Sequence, residues 1–238
     1  MISSPHNEKL KLVRKLRDRK HREREGLFAT EGEDLVEAGL AAGVEPRFLL
    51  SAGSGLGGEE VEPELLAAVS TLGSGTRAIA VWPQSWAASA EPPCAYLHGL
   101  ADPGNVGAIV RTAHALLGGT VVLGPECADP YGPKAARASM GSIFAQPVMR
   151  AGIEATPRPR VALVAHGGLG LDALTPAATV CFGAERQGFP ADLLEECEIE
   201  VTIPLRAGGA ESLNVAAAAA ISFERLSSPA MPEVKPDA

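Results

Sequence analysis

The chain is poor in aromatic residues, with six Phe, two Trp and two Tyr in 238 positions. Sandwiches and barrels use such side chains to fill the space between their layers, so an all-β fold is disfavoured. No apolar run approaches the roughly 18 residues that a membrane-spanning helix needs, and the first dozen residues are polar, without the apolar stretch of a secretory leader. A cytoplasmic protein with no membrane association is expected. The four cysteines, Cys94, Cys127, Cys181 and Cys197, are widely spaced and show no CxxC or Cys/His pattern of the kind zinc sites use. Reduced, mostly buried thiols and no metal are expected.

What the sequence does contain is 46% hydrophobic residues, enough for real cores, with 26 Gly and 19 Pro interrupting an Ala-, Leu- and Val-rich background. That composition excludes a disordered chain and suits compact α/β packing with short turns. The net charge is −8 but unevenly distributed: Glu8 to Glu25 holds nine Lys/Arg against four acids, so this segment carries +5 and the remainder −13. A basic amphipathic helix is predicted there, with Leu10, Val13, Leu16 and His21 toward the core. Its charges either are simply solvated or face a polyanion.

The order of periodic segments predicts a small α/β unit over residues 1–84, a Pro-, Ser- and Ala-rich linker at 85–93, and a larger unit over 94–226 in which strands and helices alternate. That alternation implies a mostly parallel sheet covered on both faces. Residues 227–238, rich in proline, are expected to be a disordered tail.

Gly168-Leu169-Gly170-Leu171-Asp172-Ala173 matches the G-x-G-x-x-A dinucleotide fingerprint and raises a nicotinamide-dependent dehydrogenase as one reading. The fingerprint needs a full helix after its glycines, whereas Pro176 interrupts this segment, so a tight turn is expected instead. Three other segments carry more chemistry. In Asp102-Pro103-Gly104-Asn105-Val106-Gly107-Ala108-Ile109-Val110-Arg111, Asn105 is expected to open a helix. Arg111, six residues on, lies about 120° away around the axis, which allows both side chains to reach one cleft. Cys181-Phe182-Gly183-Ala184-Glu185 leaves a buried strand through a glycine that permits close backbone approach to a ligand. Ile203-Pro204 and Glu211-Ser212-Leu213-Asn214 precede an Ala-rich helix whose start Ser212 or Asn214 can cap.

These three segments, in this order, resemble the signature motifs of the SpoU/TrmH family of RNA ribose 2′-O-methyltransferases in the SPOUT superfamily. Ala128-Asp129-Pro130-Tyr131 and Lys134 to Ser142 are similar to the family as well. Arg22-Glu23 and Phe28 to Gly32 resemble its ribosomal-protein-like substrate-binding domain. The resemblance implies a C-terminal SPOUT α/β domain with a deep trefoil knot after a small α/β RNA-binding domain, S-adenosylmethionine as cofactor, and a homodimer whose sites draw on both subunits. Carried over residue by residue, it implies catalytic positions at Asn105, Arg111, Glu185, Ser212 and Asn214, and cofactor contacts at Gly183, Ile203 and Leu213. It further implies RNA contacts at Lys15, Arg19, Arg22 and Arg137. One departure is the loop Leu205–Glu211, a residue longer than the commonest family form.

The implied substrate is structured RNA, with ribosomal RNA favoured over transfer RNA because an added N-terminal domain of this type suits ribosomal enzymes. A non-catalytic RNA-binding member of the same fold is the other reading. A guanidinium is a poor base at neutral pH, so two roles stay open for Arg111: a base whose ionisation the assembled site shifts, or a cation that stabilises the developing alkoxide and grips a phosphate.

Overall fold

In a computed structural model of the chain, residues 1–174, 178–185 and 187–227 are described. Pro176 and residues 228–238, on which the expected helix break and nearly all of the expected tail fall, lie outside them.

The N-terminal unit is a four-stranded sheet of order β1-β4-β2-β3, built from β1 (Leu27–Glu31), β2 (Phe48–Ser51), β3 (Glu59–Glu60) and β4 (Ala78–Pro83). Helices α1 (Glu8–Lys15), α2 (Arg19–Glu25), α3 (Glu33–Ala41) and α4 (Pro63–Val69) accompany it. Leu10, Val13 and Leu16 are buried as the helical period requires, yet the predicted single basic helix is broken after Lys15. The break has a clear cause. The Arg22 guanidinium turns back and donates to the Leu16 and Arg17 carbonyls, 2.8 and 2.7 Å away, which satisfies acceptors left open at the end of α1.

The C-terminal unit is a six-stranded, all-parallel sheet of order β10-β8-β9-β5-β6-β7. Its strands are β5 (Cys94–Leu97), β6 (Val121–Leu123), β7 (Val148–Arg150), β8 (Arg160–Leu163), β9 (Thr179–Phe182) and β10 (Ile199–Val201). On one face α5 (Pro103–Thr112), α6 (Pro133–Ala138) and α8 (Val215–Ser227) join Ala95, Leu97, Val180 and Phe182 in the main core. The alternate residues Tyr96 and Cys181 face the other side, where a short α7 (Ala191–Glu195), not foreseen from the sequence, contributes Leu193. Helix α5 starts two residues earlier than expected and beyond Thr112 continues as a π-turn, Ala113–Leu117, closed by the bond from Gly118 N–H to the Ala113 carbonyl.

The two sheets share one core: Phe28, Val36, Leu49 and Trp82 of the first unit belong to the same buried cluster as Tyr131, Ile143 and Val106 of the second. Phe28 and Tyr131 rings lie 4.8 Å apart, and Trp82 meets Phe144 edge-on at 4.8 Å. Gly39 on α3 is required here, since a Cβ would come within 2.7 to 2.9 Å of the Trp82 and Phe144 rings. Residues 85–93, expected to be a linker, are docked through Trp86, Ala87 and the Glu91 backbone. Trp86 packs on Tyr131 at 5.0 Å and under the Arg150 guanidinium at 4.6 Å, and Ala87 N–H donates to the Val148 carbonyl.

Across this seam runs a buried ion pair, Arg22 Nε to Asp129 Oδ2 at 2.8 Å, with each side chain only 5% exposed. Removing one partner of such a pair strands the other charge. Asp129→Ala is therefore expected to destabilise the protein by about 3–5 kcal/mol in chemical denaturation, and a loss under about 1 kcal/mol, the size of an exposed pair, would contradict this assignment.

Candidate active site

A cavity of about 390 Å³ opens at the carboxyl ends of β8 and β9. In a parallel sheet all carboxyl ends share one rim, which is where such folds bind ligands. Leu163 and Phe182 form its floor, the backbone of Gly183 to Glu185, Gln187 and Gly188 one wall, and Ile203, Leu205 and residues 211–213 the other. All three positions expected to touch the cofactor, Gly183, Ile203 and Leu213, line it, as do Glu185 and Ser212. Gly183 has no room for a side chain: a Cβ would lie 2.5 Å from the Gly188 carbonyl carbon, across a turn in which Ala184 and Gly188 exchange backbone hydrogen bonds. The Leu205–Glu211 loop supplies both of its ends, Leu205 and Glu211, to the cavity.

Asn105 and Asn214 stand outside the cavity wall but are tied to it. The Asn105 side-chain amide donates to Glu185 Oε1, and Asn214 Nδ2 donates to Asn105 Oδ1 at 3.0 Å. Asn214 Oδ1 accepts from Ala216 and Ala217 N–H at 2.9 and 3.3 Å, so Asn214 caps α8, as one of the two sequence expectations had it. Asn105 does not open its helix. Asp102 is the cap, accepting from Gly104 N–H at 2.5 Å with Pro103 at the first helical position, which leaves the Asn105 amide free to bridge Glu185 and Asn214. The Gly104 N–H, aided by the Lys134 ammonium, holds the Asp102 carboxyl below its ordinary range and keeps the cap charged.

Arg111 is not part of this network. It is exposed near the end of α5, about 9 Å along the axis from Asn105, and has no hydrogen bond or ion pair among the described residues.

The RNA contacts expected on the basic segment are redistributed. Arg22 is a correction: it is buried and fully engaged within the protein, and so presents nothing to a nucleic acid. Lys9, Lys11 and Arg24 are paired with Glu59, Glu8 and Glu25, and Arg14 and Arg17 donate to the Pro5 and Val69 carbonyls. Arg19 bonds Glu23 and the Cys127 carbonyl, whereas Lys15 is exposed and unpaired among the described residues. Arg137 donates to Thr71 Oγ1 at 3.0 Å across the seam. Sequence reasoning missed Arg150, which joins Glu23 and Asp129 at the seam and lines a second cleft of about 240 Å³ with Arg19; nothing in its local sequence marks it.

The dinucleotide reading fails on geometry. Gly168 N–H bonds Thr202 Oγ1, Leu169 bridges to Val201, and the segment then makes a single 3₁₀ turn, Leu171–Ala173, so that among the described residues no helix follows these glycines to hold a pyrophosphate. Among the described residues no cluster of His, Cys, Asp and Glu could hold a metal ion, and no helix is long and apolar enough to cross a membrane.

Comparison with known families matches residues 93–224 to the SpoU rRNA Methylase family and residues 7–83 to the MRM3-like substrate binding domain. The 23S rRNA (guanosine(2553)-2′-O)-methyltransferase RlmP of Bacillus subtilis is 32% identical over 243 residues, covering 92% of this chain and 96% of that protein. The 23S rRNA (uridine(2479)-2′-O)-methyltransferase of Streptomyces viridochromogenes is 34% identical over 139 residues, 52% of this chain and 48% of that one. Among solved structures, the AdoMet-bound rRNA methyltransferase from Sinorhizobium meliloti superposes with a TM-score of 0.82 at 28% identity, covering 94% of this chain and 96% of that chain.

The cavity suits the ligand of that last structure. Its volume is within the usual 300–1,000 Å³ range of small-molecule clefts, and apolar Leu163, Phe182 and Ile203 line it together with Glu185 and Glu211. Gly183→Ala should force the Gly188 backbone into the cavity and weaken S-adenosylmethionine binding at least tenfold, about 1.4 kcal/mol, with little change in denaturation midpoint. Calorimetric titration beside a denaturant melt checks this, and unchanged affinity would overturn the cavity assignment.

Proposed function

The chain belongs to the SpoU rRNA methylase family, and from that premise we propose that it transfers a methyl group from S-adenosylmethionine to a ribose 2′-hydroxyl of 23S-type ribosomal RNA in the cytoplasm. The observation that carries this reading is the cavity bounded by Gly183, Ile203 and Leu213 with the Glu185–Asn105–Asn214 hydrogen-bond chain at its edge. Bound there, the cofactor supplies an electrophilic methyl group on a positively charged sulfur.

The protein's own part is alignment and charge. Asn105 couples the loop after β9 to the start of α8, so the two walls of the cavity are held at a fixed separation. Backbone at Gly183 and Gly188 lets the cofactor lie close to the strand end. Ser212, at the mouth, is placed to order the incoming nucleotide. Arg111, with a guanidinium free of protein partners, acts as a cation that grips a phosphate and stabilises the alkoxide forming at the ribose. Residues 1–84 serve as the RNA-binding domain, joined through 85–93 to the catalytic unit 94–226, with Lys15 and Arg19 as its outward cations and Arg137 added from the catalytic unit. The knot that the family implies is part of the same proposal, since the segments following β9 and β10 form the two cavity walls.

A homodimer completes the reading. Leu116, at the end of the α5 π-turn, and Ile221, on α8, are each 36% exposed although the two elements pack together, and Leu213 at the cavity mouth is 39% exposed. A second copy seated on this face would cover all three and bring a second Arg111 toward the cavity that its own subunit's Arg111 does not join.

Ribose-methylation mapping of ribosomal RNA from a strain lacking the protein tests the substrate: one site should lose its methyl group and regain it with the restored chain, whereas an unchanged map would refute the reading. Sedimentation at micromolar concentration should show a dimer. Arg111→Ala should abolish single-turnover methylation while S-adenosylmethionine affinity stays within a few-fold, because a group acting in the transition state affects turnover more than ground-state binding. Arg111→Lys should remain severely impaired, having lost the planar fork. Near-normal turnover in Arg111→Ala would remove Arg111 from the mechanism.

A further inference from the structure

The four cysteines are far apart in sequence, but two of them share one apolar cluster. Cys181 is fully buried on β9, on the face of the sheet opposite α5 and α8, and Cys197, just beyond α7, packs into the same apolar cluster of Tyr96, Val122, Ile153, Phe189 and Leu193. Cys197 is half-buried and so reachable from solvent, while Cys94 and Cys127 are buried elsewhere. The chain between the paired cysteines contains Gly183 to Gly188, the whole strand-end wall of the cavity. We propose that Cys181 and Cys197 form a redox pair that closes into a disulfide when a hydroperoxide oxidises Cys197, and that this bridge weakens cofactor binding by tethering the cavity wall. The second half rests on the reading of the cavity as a cofactor site.

The surroundings assign different roles to the two sulfurs. Interaction with the Cys181 thiol pulls the Cys197 thiol below its ordinary range, with Arg160 and Arg158 helping and burial and Glu198 opposing, while Cys181 Sγ also donates to the Thr179 carbonyl and Cys197 Sγ to the Leu193 carbonyl. The same contact and burial push Cys181 up. Cys197 is thus the attacking thiolate and Cys181 the resolving thiol. By contrast, burial raises Cys94 to about 11 and also raises Cys127, which leaves both unreactive.

The chemistry balances with hydrogen peroxide as the oxidant. The Cys197 thiolate attacks one peroxide oxygen, the O–O bond breaks, and hydroxide leaves to take up a proton as water, giving a sulfenic acid. The Cys181 sulfur then displaces hydroxide from the Cys197 sulfur, and the thiol proton leaves with it as a second water. One peroxide is reduced and two thiols are oxidised. The bridge draws two packed sulfurs to roughly 2 Å, so the segment between them must move against β9, and the turn in which Gly183 nearly touches Gly188 has little slack to absorb that movement.

The test uses the full-length protein, treated with hydrogen peroxide and then with dithiothreitol. A non-reduced digest should yield a peptide linking Cys181 to Cys197, and amide exchange over residues 183–188 should change on oxidation. S-adenosylmethionine affinity should fall roughly 5- to 150-fold, the usual range of coupling between two sites, and return on reduction. Cys197→Ser should bind the cofactor normally and be indifferent to peroxide, and Cys181→Ala, which keeps a small apolar side chain on β9, should form no intramolecular bridge. Absence of the linked peptide, or a bridge that uses Cys94 or Cys127, overturns the pair. A bridge that leaves amide exchange and affinity unchanged overturns the coupling. If the reduced protein binds no S-adenosylmethionine, the cofactor reading fails, while the linked peptide and the exchange over 183–188 still decide the redox pair.

Discussion

The ion pair between Arg22 and Asp129 is the constraint on which the arrangement of the two units rests. Two charges are taken out of water at a cost of several kcal/mol per ion, which only excellent geometry offsets. The geometry is complete: Arg22 gives Nε to Asp129 and Nη1 to the Leu16 and Arg17 carbonyls, while the second Asp129 oxygen accepts from Tyr131 N–H. A pair with so few alternative arrangements fixes orientation more than it adds stability. It sets α2 against the turn at 127–132, and Tyr131 then exchanges hydrogen bonds with the Ser85 backbone. Around it, Phe28, Trp82, Trp86, Tyr131 and Phe144, half of the ten aromatic residues of the chain, make a continuous seam.

That seam changes how the charge pattern is to be understood. A surplus of +5 in eighteen residues looks like a polyanion-binding arm, but most of those cations are held by neighbouring carboxylates and carbonyls, and one is buried. The basic segment is therefore mainly a structural element that joins an acidic body. The cations of this segment that remain outward and unpaired among the described residues are Lys15 on α1 and Lys20 on α2.

The cavity depends on a different physical fact, the common direction of six parallel strands. Loops leaving β8 and β9 reach the same rim, and α8 returns to it with Asn214 at its cap. Three residues from three separate segments, Asn105, Glu185 and Asn214, are thereby linked by two hydrogen bonds. Glycines at Gly99 and Gly183 keep the strand ends close: Gly99 adopts a left-handed φ of +67°, and a Cβ there would sit 3.2 Å from Ala184 Cβ. The sheet's opposite face contains the cluster to which Cys181 and Cys197 contribute.

The sequence by itself determined the α/β class, the mostly parallel sheet and the Asn214 cap of α8, because these follow from local periodicity and from a few consecutive positions. Gly183, Ile203, Leu213, Glu185 and Ser212, which the family resemblance singled out, all line the cavity. Only the tertiary structure decided that Asn105 is a bridge and not a cap, that Arg22 belongs to the interior, that Trp86 is docked on Tyr131, and that Cys181 and Cys197 share a cluster. Each of those depends on a partner far away in the chain, at separations of 80 residues for Asn105 with Glu185 and 107 for Arg22 with Asp129. Side-chain identity states what a residue can bond to, whereas which partner it meets is set by the packing of the whole core.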